Sequence, residues 1–363
     1  MKVVKNLDIP FVGIEKICAV NIFGNEIVLL ADTGVLASYT IGGTEAKTIL
    51  SVEPYLNKEG LNYSDGGYDL YSPQSIYKLD DIYVVVNDYK THGCVVTSEN
   101  QVHLWRKDYH AEYSKYPIAI YKDHHSVPHI IYANAWNRID IMNLNTLQIL
   151  TADKSLIEDC AEEKAIEYAN GYEKGKHHFP WPREYDYFYG ELLMSPDNTK
   201  FLSKGWVWGS ADYYYIFDTA DFVTNKRIKY KIIAAGDHCC RAACWLTNTE
   251  LLIKYSPFAE GDEGATIDSN IQFHVYNVCI DQQEPVRIIE TKNNKGLSDK
   301  LYYYKAENLL ISFSKENGIL VNDLDGNLLL ENTSIKPDAF CEKTGKFIEV
   351  MDNNTISIYS LHK

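Results

Sequence analysis

Short apolar runs recur along the chain, each closed by a tight polar or glycine turn and answered by a second run in which apolar and polar positions alternate. The clearest copy is Lys200 to Asp218, KFLSKGWVWGSADYYYIFD, which follows Ser195-Pro196-Asp197-Asn198. Other copies are IVLLADTGVLASYTI from Ile27, IYVVVND with CVVTSENQVHLW from Ile82, and HIIYANAWNRIDIMNLNT from His129. LLIKYSPF with NIQFHVYNV from Leu251, LLISFSKENGILVNDLDGN from Leu309 and KFIEVMDNNTISIYSL from Lys346 complete the set. Each is a β-hairpin signal. The starts are separated by 55, 47, 71, 51, 58 and 37 residues, which brackets the ~40 to 50 residues of a propeller blade. The pattern predicts an all-β, seven-bladed β-propeller.

Three irregularities refine this picture. The long spacing is explained by Ser155 to Tyr172, where Leu156, Cys160, Ala161, Lys164, Ala165 and Tyr168 recur at helical intervals. A short amphipathic helix is expected there, across the joint of the third and fourth blades. Ser256 to Asn270, rich in Gly, Asp and Glu, reads as an exposed loop. After Pro337 the chain supplies three strands of a last blade and stops, so Lys2 to Leu7 is expected to add the fourth and close the ring.

Composition changes the picture little. The chain has 363 residues, 45% hydrophobic and 23% charged, and its 28 Tyr with abundant Ile and Val favour strands. One domain spanning residues 1–363 is expected. The formal charge of -15 argues against nucleic acid and admits a basic partner. No stretch reaches the ~20 apolar residues of a membrane span, and the N-terminus lacks the pattern of a secretory signal. Eight scattered cysteines, mostly in predicted strands, fit buried thiols in a reducing cytoplasm.

Two segments carry a family resemblance. Asn134-Ala-Trp-Asn-Arg-Ile-Asp-Ile with Leu144-Asn-Thr-Leu-Gln-Ile-Leu-Thr is one, and Tyr185-Asp-Tyr-Phe-Tyr-Gly-Glu-Leu-Leu-Met-Ser-Pro-Asp with Gly205-Trp-Val-Trp is the other. They resemble motifs of a group of uncharacterised bacterial cytoplasmic seven-bladed propellers of WD-repeat-like type. The match covers roughly the middle third of the chain, and Asp197-Asn198 stands where a Gly commonly follows the Asp. The resemblance implies the propeller and a bacterial cytoplasmic setting; no functional residue is carried over from it.

Candidate chemistry is sparse. His238-Cys239-Cys240 with Cys244 has zinc-like residue types, but Cys240 and Cys244 on an extended strand lie roughly 13 Å apart at ~3.3 Å per residue, too far for one ion. They read as core cysteines. His124-His125 with His129, and His177-His178, lack a carboxylate at ligand spacing. Neither a Gly-x-Ser-x-Gly elbow nor a phosphate-binding glycine loop occurs. No metal, cofactor or catalytic residue is therefore assigned.

The stronger argument is topological. In a propeller, the turns between second and third strands and the connections between blades gather on one face, where functional residues concentrate. Here those loops are aromatic: Asn134-Ala-Trp136-Asn137-Arg138, Gly205-Trp206-Val-Trp208, and His177-His178-Phe179-Pro-Trp181-Pro-Arg183-Glu-Tyr185-Asp186-Tyr187. Tyr63, Asp65, Tyr68, Asp69 and Tyr71 are candidates to join them.

This pattern predicts a monomeric, non-enzymatic binding protein presenting an aromatic, acidic face to a protein or peptide partner. Its binding residues would be Trp136, Arg138, His178, Trp181, Asp186, Tyr187, Trp206, Trp208, Asp237 and His238. Packing across the blade seam is the competing role for the tryptophans. The alternative function is a hydrolase or lyase acting on a small polar substrate at the channel mouth, metal-assisted through His178, His238 and Asp186 or Asp237.

Overall fold

The computed structural model describes the chain except residues 12–14, 44, 52–66, 172–184, 210, 237–240, 267, 293–299 and 363, and the side chains of residues 168, 169 and 171. Its strands form seven antiparallel sheets arranged as the blades of a β-propeller. Strand β1 (Lys2–Pro10) is set aside from the first blade, which is β2 (Ile17–Phe23), β3 (Glu26–Ala31), β4 (Val35–Thr40) and β5 (Ala46–Ser51). The second blade is β6 (Gln74–Leu79), β7 (Ile82–Asn87), β8 (His92–Val96) and β9 (Gln101–Trp105). The third has three strands, β10 (Ile118–Lys122), β11 (Pro128–Ala135) and β12 (Arg138–Asn143).

Helix α1 (Ala161–Gly171) precedes the fourth blade, which is β13 (Phe188–Met194), β14 (Lys200–Val207), β15 (Ala211–Asp218) and β16 (Lys231–Gly236), with α2 (Thr219–Thr224) between its last two strands. The fifth blade is β17 (Ala243–Trp245), β18 (Glu250–Tyr255), β19 (Gln272–Asn277) and β20 (Arg287–Glu290). The sixth is β21 (Leu301–Tyr304), β22 (Leu309–Ser314), β23 (Gly318–Asp323) and β24 (Leu328–Asn332). In the seventh, β25 (Ala339–Cys341), β26 (Lys346–Val350) and β27 (Thr355–His362) are completed by β1.

The apolar runs are the second strands of the blades. Each of the seven starts within one residue of its expected position, because these strands are sandwiched between neighbouring blades and bury both faces. Strands β3, β7 and β22 carry five consecutive buried residues each. Outer strands such as β24 instead alternate between exposed and half-buried positions. Ring closure is as expected: β1 pairs antiparallel with β27 from Lys2↔His362 to Pro10↔Thr355, with a bulge between Lys5 and Leu7.

The insertion does contain a helix, but its lead-in docks on the fourth blade itself. Residues 155–159 run alongside residues 226–228, with Ser155 N donating to Lys226 O at 2.8 Å, Ile228 N to Ile157 O at 3.2 Å and Asp159 N to Ile228 O at 2.7 Å. Arg227 then pairs with Glu162 and Lys164 with Glu158.

Helix α2 was not signalled by the apolar pattern. Asp218 caps it by accepting from Asp221 N, and Phe222 enters the core against Phe201 and Phe217. In the third blade a single bridge, Met142↔Ile149, stands in place of a fourth strand.

Two expectations need correction. The 256–270 loop is not wholly exposed, since the Glu260 side chain is only 6% exposed and lies 3.8 Å from Arg241. Nor are the thiols uniformly buried: Cys94, Cys244 and Cys341 are, but Cys160 and Cys279 are exposed and Cys18 is half-buried. Cys239 and Cys240 lie outside the described residues.

Candidate functional site at the channel mouth

Three successive blades build an aromatic shelf. The β9–β10 connection contributes Tyr109, His110 and Tyr113; the β11–β12 turn contributes Trp136; β13 begins with Phe188; β14 and the turn after it carry Trp206 and Trp208. Phe188 is buried and forms the hub. Trp206 stacks on it at 3.7 Å with rings 5° from parallel, Trp136 lies at 4.3 Å, and Trp208 meets it edge-on at 4.9 Å. His110 packs edge-on against Phe188, Trp206 and Trp208 at 5.4 to 5.9 Å. Its backbone has φ 55°, a left-handed conformation that costs a non-glycine residue about 1 kcal/mol or more and persists only where surroundings enforce it.

Trp206 is pinned further by its Nε1, which donates to Ser114 Oγ at 2.7 Å. The outer layer stays open: Trp208 is 50% exposed, Tyr109 48% and Tyr113 62%. The shelf is thus rigid below and accessible above.

Beside it lies a cavity of about 380 Å³ at the mouth of the central channel, lined by Asp88 and Tyr89, Tyr113 to Lys115, Glu191, Lys204 and Trp206, and from the far side Lys300, Phe313 to Lys315, Pro337 and Asp338. Asp88, Tyr89 and Lys315 come from second-to-third-strand turns and Tyr113 to Lys115, Lys300, Pro337 and Asp338 from blade entries, whereas Glu191, Lys204, Trp206, Phe313 and Ser314 lie within strands. Trp206 and Tyr113 belong to both shelf and cavity.

Electrostatics in the cavity centre on Glu191. A bulge between Phe188 and Glu191 breaks the β13–β14 register and places Glu191 opposite Lys204. A Cβ on Gly190 would sit 1.9 Å from Lys204 O, so only glycine fits there. One Glu191 oxygen accepts from Lys115 Nζ at 2.7 Å and the other from Lys204 Nζ at 2.9 Å. Burial alone would raise the Glu191 carboxyl, but the Lys204 and Lys115 ammonium groups outweigh it and hold the group well below its ordinary 4.5. Burial would likewise lower Lys115, but Glu191 raises it further than burial depresses it.

Elsewhere in the cavity burial prevails. It raises Asp88 against the opposing pull of Lys115, and Asp88 Oδ1 is buried without a hydrogen-bond partner. Lys300 donates to Asp338 O at 3.1 Å and is lowered, first by desolvation and then by repulsion from Lys115. Lys315 pairs with Asp338 Oδ1 at 2.7 Å.

The sequence-predicted residues divide. Trp136, Trp206 and Trp208 come together as anticipated, with Trp206 mostly a packing residue and Trp208 open. Asp186 is half-buried just ahead of β13. Tyr187 was expected at the surface but is 0% exposed, its hydroxyl set between two carbonyls that can take its one proton, Ser203 O at 3.0 Å and Tyr213 O at 2.9 Å.

Gly205 makes room for that ring, since a Cβ there would lie 2.3 Å from Tyr187 Cζ and Oη. Arg138 turns inward on its own blade, to Asp140 Oδ1 at 3.3 Å and the carbonyls of Thr151 and Ala152 at 3.3 and 3.1 Å. His178, Trp181, Asp237 and His238 lie outside the described residues, as do Tyr63 and Asp65. Tyr68 and Asp69 are buried, while Tyr71 is exposed.

Sequence reasoning missed Tyr109, His110 and Tyr113, although DYHAEYSKY between β9 and β10 is as aromatic as the loops it singled out. It also missed the cavity lysines, whose positions on separate blades leave no local pattern. The expected acidic face is accordingly uneven: Asp108 and Glu112 are exposed beside the shelf, but the cavity holds four lysines against three carboxylates.

No protein-family model matches the chain, and no curated protein sequence matches it. Among solved structures, the Dos1 propeller is similar at a TM-score of 0.50 and 12% identity, covering 92% of this chain and 74% of that one. The computationally designed Ika8 protein aligns at a TM-score of 0.47 and 11% identity, over 95% of this chain and 96% of that one. At such identity the likeness to the Dos1 propeller shows the fold alone, and by that likeness and its own sheet order the chain is an all-β, seven-bladed propeller.

Proposed function

We propose that the protein is a non-enzymatic binding protein that holds a basic peptide or protein segment on the aromatic shelf. The observation that carries this reading is the outer layer of Tyr109, Tyr113 and Trp208, open to solvent yet fixed from below by Phe188, Trp206 and His110. Rigid aromatic anchors bury much area at little entropic cost, and an exposed aromatic patch on a closed ring is the usual mark of an interaction surface. Propellers commonly serve as protein-interaction scaffolds.

Exposed Asp108 and Glu112 flank the shelf. A Lys or Arg of the partner would lie over Trp208 or Tyr109, gaining a cation–π contact and the attraction of these carboxylates. The same reading takes the chain as one monomeric domain of a bacterial cytoplasmic, WD-repeat-like propeller group, supported by the motifs around Trp136 and Trp206. No described helix is long and apolar enough to cross a membrane. Among the described residues no specific observation favours catalysis at the mouth.

The test is selection of a random peptide library on the wild-type protein, followed by titration of the enriched peptides against Trp208→Ala and Tyr109→Ala. Enriched sequences should be rich in Lys or Arg and lose about tenfold or more in affinity on either variant, with the melting temperature nearly unchanged. An absence of enriched peptides, or binding indifferent to both substitutions, overturns the proposal.

A further inference from the structure

The channel mouth presents a charge problem that the aromatic shelf does not solve. Among the described residues, four ammonium groups, on Lys115, Lys204, Lys300 and Lys315, share the cavity with the carboxylates of Asp88, Glu191 and Asp338. Glu191 is fully engaged by Lys115 and Lys204, and Asp338 by Lys315 and the Val350 backbone N–H. Lys300 donates to the Asp338 carbonyl at 3.1 Å and is drawn to the carboxylates of Asp338 and Asp88 while Lys115 repels it. It enters from the start of the sixth blade, whereas Lys115 enters at the third, so the two face each other across the ring and repel. Like charges converging on a cavity with low-dielectric walls create a local field opposite in sign to the chain's net charge.

We infer that this cavity is a binding site for a small organic anion, a carboxylate or phosphate monoester, whose charged head sits between Lys115 and Lys300. An anion there converts repulsion into two charge-assisted hydrogen bonds. Trp206, Tyr113, Phe313 and Pro337 supply apolar walls for the rest of the molecule. The volume of about 380 Å³ falls within the range of small-molecule sites. This site adjoins the peptide shelf and shares Tyr113 and Trp206 with it, but Trp208 does not line it.

The experiment is calorimetric titration of the full chain with inorganic phosphate, phenyl phosphate, benzoate and phenol at constant ionic strength. Phenyl phosphate or benzoate should bind saturably and more tightly than inorganic phosphate, which lacks the apolar body, and than phenol, which lacks the charge. The tighter of the two anions identifies the head group. Lys300→Gln should weaken binding about tenfold or more, Lys300→Arg by only a few-fold, and Trp208→Ala not at all.

Melting of each variant without ligand separates a folding defect from a lost contact. The inference is overturned if no anion binds saturably below about 10 mM, if phenol binds as well as phenyl phosphate, or if Lys300→Gln binds like wild type. Loss of peptide binding with anion binding intact would overturn only the shelf.

Discussion

Glu191→Gln is the most informative single substitution, because it removes the negative charge from between two lysines while keeping shape. At an effective dielectric near 20, unit charges about 4 Å apart interact by about 4 kcal/mol, and Glu191 makes two such contacts, to Lys115 and Lys204. Desolvation of three ions and the mutual repulsion of the lysines cancel much of that gross attraction. The substitution forfeits the attraction and retains the repulsion.

Breaking a buried ion pair costs roughly 3–5 kcal/mol. The Glu191 side chain is still 25% exposed, so solvent screening brings the cost below that range, to about 2–3 kcal/mol. Lys204→Met, which leaves Glu191 its Lys115 partner, should cost about 1–2 kcal/mol. The double variant should cost the same as Glu191→Gln alone, giving a coupling of about 1–2 kcal/mol.

The pH dependence carries a definite sign. A carboxyl held below its ordinary 4.5 in the folded protein contributes stability that is fully present above that value and is lost as pH falls through the folded one. Glu191→Gln should therefore flatten the acid limb of stability below about pH 4.5. Urea unfolding followed by tryptophan fluorescence, at pH 7 and at steps below pH 5, measures both effects. A cost under about 0.5 kcal/mol, an additive cycle or an unchanged acid limb would refute the clamp.

Deleting residues 2–10 removes β1, the partner of β27 along eight paired positions, and leaves an open edge; cooperative melting should be lost or fall by ten degrees or so, and a melt within about two degrees of wild type would show that β1 does not close the ring. Trp206→Ala empties a stacked, hydrogen-bonded site and should cost about 3 kcal/mol, whereas Trp208→Ala, at the open edge, should cost under about 1 kcal/mol. Equal costs in urea unfolding would contradict the division into packing and presenting residues. Arg241→Met removes the guanidinium that binds buried Asp212 at 2.8 and 3.0 Å; a loss of about 3–5 kcal/mol is expected by the same assay, and a loss below about 1 kcal/mol would show that the pair is relieved some other way.

What was legible in the chain was whatever depends on period and nearest neighbours. Continuous apolar runs betrayed the second strands because blades stack on both of their faces, and three strands after Pro337 called for a fourth from the other terminus. Parity inside a strand was harder. Tyr187 and Phe188 look interchangeable as text, but the bulge before Glu191 and the missing Cβ of Gly205 turn Tyr187 into the core and make Phe188 the hub of the shelf.

The charge of the mouth was hidden for a different reason. A total of -15 averages over the whole chain, whereas Lys115, Lys204, Lys300 and Lys315 converge on one cavity from blades well separated in sequence. Glu191 and Lys204 become partners only after the bulge is counted, and Lys300 meets the field of Lys115 only because the ring closes. The grouping of charges at the mouth is therefore a property of ring closure, and the same β1–β27 pairing that seals the fold also holds lysines of distant blades around one cavity.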